Sequence, residues 1–402
     1  MSTTTQRFPL AVPAFVLALG LVAGPLLAQG DIKELEALVR SDSNDAQLQY
    51  QLALAHWRRH HWPQVDSLLR LAIRLEPRFA EGYLALYYLP YSRRSSLFTE
   101  EQRGRVPDSW QPIVEEAHGF YKLAFRTDPL VNQRVIAVAF DIKEPRFNDF
   151  TSPEYQIYER YYAWLVDLGL GRYGSARERL ARLAERQFDE VKQPQKVPDY
   201  ILWYRGLAAA HSRNYGAAIT DFQALLDRTL KQQQRDEVVH VPLRDNEYRF
   251  MLAALHHVAG HADQAISLYQ EALEHDLGLV MAHTYLAGIY EESGKTEAAL
   301  VERRRAAEVS VDDPAAQFDY AVSLFNGQHT AEAEEPLRRA ISLNPRYAPP
   351  RYLLGRVVEE LGRRDEAREQ YTQFLALAPQ RLRDLAADAK QRLNTLAPDE
   401  RR

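Results

Sequence analysis

Two groups of histidines are the first side chains whose spacing could do chemistry: His56, His60 and His61, and His256, His257 and His261. Imidazoles four positions apart share one helical face, an arrangement that suits zinc. Both groups sit where a helix runs into its turn, with no Glu in the place a zinc protease needs one and no third ligand foreseeable nearby. They read as surface or interfacial histidines able to tune binding near neutral pH. Ser293-Gly294-Lys295-Thr296 has the ending of a phosphate-binding loop, but five residues separate Gly288 from Gly294 where four are required. A helix also precedes it in place of a strand, so its backbone N–H groups would not cradle a phosphate. There is no Gly-x-Ser-x-Gly elbow, dinucleotide fingerprint or constrained carboxylate pair, and the chain has no cysteine to act as nucleophile or thiolate ligand. The sequence therefore predicts neither an enzyme nor a bound cofactor or metal.

The elements that carry these residues belong to a chain of 402 residues, 46% apolar and 26% charged, a balance that folds. Its 50 basic and 55 acidic side chains leave a net charge of -5, which argues against a diffuse electrostatic grip on nucleic acid. The short basic runs Arg58-Arg59 and Arg303-Arg304-Arg305, the latter flanked by Glu302 and Glu308, read as solvated helix faces. Residues 1–28 differ from the rest: Arg7 precedes an uncharged apolar stretch from Phe8 to Ala28, the pattern of an export signal cut between Ala28 and Gln29. Pro9, Pro13 and Pro25 make the stretch a poor membrane anchor, so a membrane tether is expected only if it stays uncleaved. Export without cysteines or any Asn-x-Ser/Thr acceptor suits a bacterial periplasm or exterior.

After a lead-in at 29–45, a period governs the chain. Ala265, Ala299, Ala333 and Ala367 recur every 34 residues, and seven positions later stand Ala272, Ala306, Ala340 and Phe374. The spacing defines four contiguous units, 246–279, 280–313, 314–347 and 348–381, each with two apolar helical stripes split by a turn such as Gly260, Gly294 or Gly362. The region 46–232 holds the same unit with interruptions: 46–79, a split copy over 80–90 and 110–128, 157–190 and 199–232. Stretches 91–109, 130–156 and 233–245 fall outside the rhythm and read as loops, with Val131–Phe140 a candidate extra helix. Residues 382–397, within a C-terminal segment 382–402, form a polar amphipathic helix suited to cover the last exposed face.

These units resemble tetratricopeptide repeats, whose 34-residue helix-turn-helix pattern is carried best by Leu354-Gly355, Gly362, Ala367, Tyr371 and Pro379, and by Leu286-Ala287, Tyr290, Gly294, Ala299 and Ala306. The resemblance implies an all-α fold, a right-handed α-solenoid of eight units closed by a capping helix. It also implies that small residues at positions 8 and 20 let paired helices approach, with large residues at positions 7 and 24 filling the seams.

In such a stack the first helix of each pair lines a concave wall through positions 2, 5, 9 and 12. The resemblance thereby nominates Tyr50, Trp57, Tyr88, Tyr158, Tyr161, Tyr200, Trp203 and Phe250 as a partner-binding face, aromatic at one end and mixed toward Thr284, Glu291, Arg356 and Glu359. The Lys and Asn with which some family members clamp a terminal carboxylate are replaced by Tyr50 and Leu54, so stacking and apolar contact are the expected grip. The implied function is an exported scaffold that binds a protein or peptide. The alternative is an envelope enzyme or glycan-binding or glycan-processing subunit with a site built from the inserted loops.

Overall fold

The computed structural model describes residues 31–97, 111–142, 145, 148–234 and 245–396. The expected export segment, and most of the insertions at 91–109 and 233–245, lie outside these residues. Among the described residues there are twenty α-helices and no strand. The contacts group the chain into two units, 31–82 with 278–396 and, separately, 83–277.

The first unit opens with α1 (Ile32–Ser41), α2 (Ala46–Trp57), α3 (Trp62–Leu75) and the first turn of α4 (Ala80–Leu97). Asp45 starts α2 by accepting the backbone N–H of Leu48 at 2.9 Å, and Pro63 lies in the first turn of α3, where no N–H is needed.

The second unit holds the rest of α4, then α5 (Gln111–Thr127), α6 (Val135–Ala139), α7 (Pro153–Tyr161), α8 (Ala163–Gly169) and α9 (Tyr173–Phe188). It continues through α10 (Asp199–His211), α11 (Tyr215–Gln233), α12 (Asp245–Val258) and α13 (Ala262–His275). The first unit then resumes with α14 (Val280–Glu292), α15 (Thr296–Val309), α16 (Pro314–Asn326), α17 (Glu334–Leu343), α18 (Pro349–Glu360), α19 (Arg364–Leu377) and α20 (Arg383–Leu396).

Helices pair in sequence order, α10 with α11, α12 with α13, α14 with α15, α16 with α17 and α18 with α19, which is the repeating layer of an α-solenoid. The turn inside each pair needs a left-handed residue. Gly171, Gly260, Gly294 and Gly362 supply it with φ between 74° and 82°, whereas His60 and Arg213 adopt φ of 58° and 60° at a cost of about 1–2 kcal/mol each. The small position 8 is a tight contact. A Cβ on Gly355 would lie 2.7 Å from the Tyr371 ring, and one on Gly206 2.8 Å from the Phe222 ring, so the ring at position 24 packs directly on the glycine.

Two features depart from the reading of the sequence. Residues 130–139 are a buried insertion, with Leu130, Val131, Val135, Ile136 and Val138 all in the core and α6 held so close to α8 that a Cβ on Gly169 would meet that of Ala137 at 2.8 Å. Arg303, expected on a solvated face, stands at position 24, where the other units place Tyr, Phe or Leu, and is 1% exposed. It is held inside by Glu291 at 3.2 Å and Asp319 at 3.5 Å.

Candidate protein-binding surface

Most of the nominated positions are covered by contacts within their own unit. In the second unit the inward faces of α10 and α12 meet α5. Phe125 of α5 packs edge-on to Trp203 at 5.4 Å, and Trp203 in turn contacts Phe222 at 5.5 Å and Tyr248 at 6.3 Å. Arg126 of α5 pairs with Asp276 at 2.6 Å. The void left among Lys122, Phe125, Arg126, Glu247, Phe250 and Met251 is about 10 Å³, at the lower limit for one water.

Around this contact lies a tyrosine cluster. The Tyr88 and Tyr204 hydroxyls share a hydrogen bond, and the Tyr87 and Tyr121 rings meet at a tilt with centroids 4.7 Å apart. Burial raises the phenols of Tyr88, Tyr121, Tyr204 and Tyr248 above their ordinary value and pushes Tyr87 up to about 12.

In the first unit the amino-terminal helices dock on the carboxy-terminal repeats. Arg78 forms an ion pair with Asp319, Arg381 reaches Glu76 at 2.6 Å, Asn344 donates to the Arg74 carbonyl at 2.5 Å, and the Gln380 N–H donates to Asp42 at 2.8 Å. Tyr347 is buried beside this seam, and its phenol is raised by that burial and by Glu76 and Asp319.

The nominated aromatic face is corrected accordingly. Tyr50, Trp57, Tyr88 and Phe250 are core residues; Tyr50 packs against Phe79 at 5.2 Å, Trp57 is 1% exposed, and Phe250 lies against Tyr269 at 5.9 Å. Trp203 is half-buried in the interior just described.

What stays accessible lies on α7 and α10 of the second unit. Tyr161 is 40% and Tyr200 48% exposed, and Tyr158 is half-buried. Sequence reading missed three exposed neighbours in the chain, Phe150, Ile157 and Tyr162.

The exposed rings are held in place from behind. Tyr200 lies 6.4 Å from the buried Trp164, which also packs on Tyr204 at 5.2 Å. The Tyr161 hydroxyl accepts from Gln187 of α9 at 2.9 Å, and the Arg160 guanidinium sits 5.9 Å from its ring. Ser152 caps α7 by accepting the Tyr155 N–H at 3.2 Å, and Tyr155 meets Phe150 edge-on at 5.1 Å. A depression of about 640 Å³ along α17, by contrast, is lined by Glu334, Glu335, Arg338 and Arg339, where Arg338 pairs with Glu334 at 2.9 Å and no ring contributes.

Among the described residues no group of three or more His, Asp or Glu could hold a metal ion, and no helix is long and apolar enough to cross a membrane. The histidines do not meet at the spacing of four that the sequence suggested. The turn instead brings together residues five apart, His56 with His61 and His256 with His261.

Known proteins place these features in context. Two family models described as tetratricopeptide repeat match the chain, over residues 165–233 and 348–381. The comparison with curated proteins finds no match. Solved structures that resemble it include MamA, at 18% identity over 42% of this chain and 92% of that one with a TM-score of 0.35. Others are the C-terminal part of a TPR repeat-containing protein from Cytophaga hutchinsonii, at 12% identity over 60% and 96% with a TM-score of 0.44, and yeast Tom70, at 15% identity over 91% of each chain with a TM-score of 0.38. With family matches in both units, a 34-residue period and paired helices that seat a position-24 ring on a position-8 glycine, the chain carries tetratricopeptide repeats.

Proposed function

We propose that this protein is a non-enzymatic scaffold of the bacterial cell envelope that binds a protein or peptide through rings displayed on α7 and α10. The interaction role follows from the repeat family. The observation that carries the site is the pair Tyr161 and Tyr200, exposed yet held from behind by Gln187 and Trp164. Rings fixed before binding lose little rotamer entropy on contact, which is what makes tyrosine an efficient anchor. The repeats within 246–381 then serve as the supporting array, and the array within 46–232 carries the contact. Envelope residence rests on the apolar segment Phe8–Ala28, which is expected to be removed at Ala28.

The test uses the mature chain as bait in envelope extract, with bound polypeptides identified by mass spectrometry. Tyr161→Ala with Tyr200→Ala should abolish capture of a polypeptide retained by the parent. Equal capture by both overturns the site. Quenching of Trp fluorescence by a saccharide, with no polypeptide retained, overturns the ligand class in favour of a glycan.

A further inference from the structure

The turn between paired helices performs the same act in several repeats. It closes with a hydrogen bond from the residue that opens the second helix to the carbonyl five positions earlier: Arg172 to Asp167, Lys295 to Tyr290, His61 to His56 and His261 to His256, at 2.8 to 3.1 Å. The side chains at those two positions therefore meet. Asp167 and Arg172 form an ion pair at 3.0 Å, and the Lys295 ammonium sits 5.9 Å from the Tyr290 ring. In two repeats, one in each unit, both positions are histidine.

The two histidine pairs are near copies. Nδ1 faces Nδ1 at 3.0 Å in His56/His61 and at 3.2 Å in His256/His261, with ring centroids 5.3 and 5.4 Å apart and planes inclined at 47° and 49°. The surrounding residues differ, so the geometry comes from the turn. With metal–nitrogen distances of about 2.0–2.1 Å, such a separation gives a nitrogen–metal–nitrogen angle of about 90–105°, the bite of a chelate.

We propose that His56/His61 and His256/His261 are two separate two-imidazole sites for a late first-row divalent cation, copper(II) foremost, whose remaining positions are filled by water. Imidazole suits copper, nickel and zinc, and copper stands highest in the affinity order. In the free pair one Nδ1 donates to the other. On binding, that proton passes to the outward Nε2 of the same ring through solvent, so both Nδ1 lone pairs face the ion with no net proton released. The turns are exposed, which leaves room for water ligands. The remaining histidine of each cluster is directed elsewhere, His60 onto Trp62 at 5.1 Å and His257 against Tyr269 at 6.4 Å.

Full-length protein free of any polyhistidine tag should be titrated with Cu²⁺ alone and followed by electron paramagnetic resonance. About two equivalents with imidazole nitrogen hyperfine structure are expected. His61→Gln should remove one, His261→Gln the other and the double substitution both, each weakening retention by at least the roughly 10–100-fold seen when outer-shell partners are lost. His60→Gln should retain both. An unchanged titration of the double variant overturns the proposal, as does loss on His60→Gln equal to that on His61→Gln. Circular dichroism separates either result from unfolding.

Discussion

Arg78 and Asp319, 241 positions apart, form an ion pair whose side chains are only 20% and 5% exposed. Asp319 also receives Arg303, so one carboxylate answers two buried or nearly buried guanidiniums and ties the amino-terminal repeat to the carboxy-terminal ones. Removing it leaves two charges without that partner in a poorly solvated place, a situation that costs about 3–5 kcal/mol. Asp319→Ala should therefore lower stability in urea by that amount and remove hydrogen-exchange protection from α2, α3 and α16 together. A loss under about 1 kcal/mol would show that the seam does not hold the unit.

The contact between positions 8 and 24 makes a second prediction. The Tyr371 hydroxyl donates to Glu359 at 2.6 Å, so its ring cannot swing away from a methyl group added at Gly355. Gly355→Ala should destabilise by about 1–3 kcal/mol through overpacking. Gly174 in α9, where an added methyl group would meet nothing within 4 Å, provides the contrast: Gly174→Ala should be neutral or stabilise by about 0.4–1 kcal/mol. Thermal unfolding of the two variants checks both.

His211 should give the fold an acid-sensitive point. Its ring stacks on Tyr173 at 4.6 Å, and burial lowers its pKa to about 4 against the opposing pull of the Leu130 and Val131 carbonyls. Because the folded form resists protonation that the unfolded chain accepts from its ordinary value near 6.5, the unfolded state binds more protons between these values. Stability from this group is present above about pH 6.5 and falls by about 1.4 kcal/mol per pH unit down to about pH 4. Urea midpoints measured from pH 7 to 5 should fall less steeply in His211→Phe than in the parent; parallel curves contradict the assignment.

Exposed anchors should matter for binding and hardly at all for folding. Tyr161→Ala and Tyr200→Ala should each shift stability by less than about 1 kcal/mol, since neither ring is in the core. Each should weaken the partner by about 2 kcal/mol or more, roughly thirtyfold in Kd. Calorimetric unfolding and a binding titration with the captured polypeptide separate the two effects.

The repeat was legible because 34-residue spacing of alanines is a local signal, repeated often enough to survive insertions. The occupancy of the inner faces was not. Tyr88, Trp203 and Phe250 occupy inward register positions, but that α5 brings Phe125 against Trp203 depends on contacts across 78 residues that no periodicity reports. Arg303 was misread for a related reason: a basic run looks solvated until its first member is seen at the position where other repeats place a ring. Tyr161 and Tyr200 came from the same register as the buried rings, and only packing separates the two groups.

The most direct measurement is site-specific photo-cross-linking in cells, with a photoreactive phenylalanine analogue at position 161, 200 or, as a control on an exposed face of α11, 223. Polypeptide adducts are expected at 161 and 200 and absent at 223. Adducts at 223 alone, or none at 161 and 200 while the parent still captures its partner, would contradict recognition by the displayed rings.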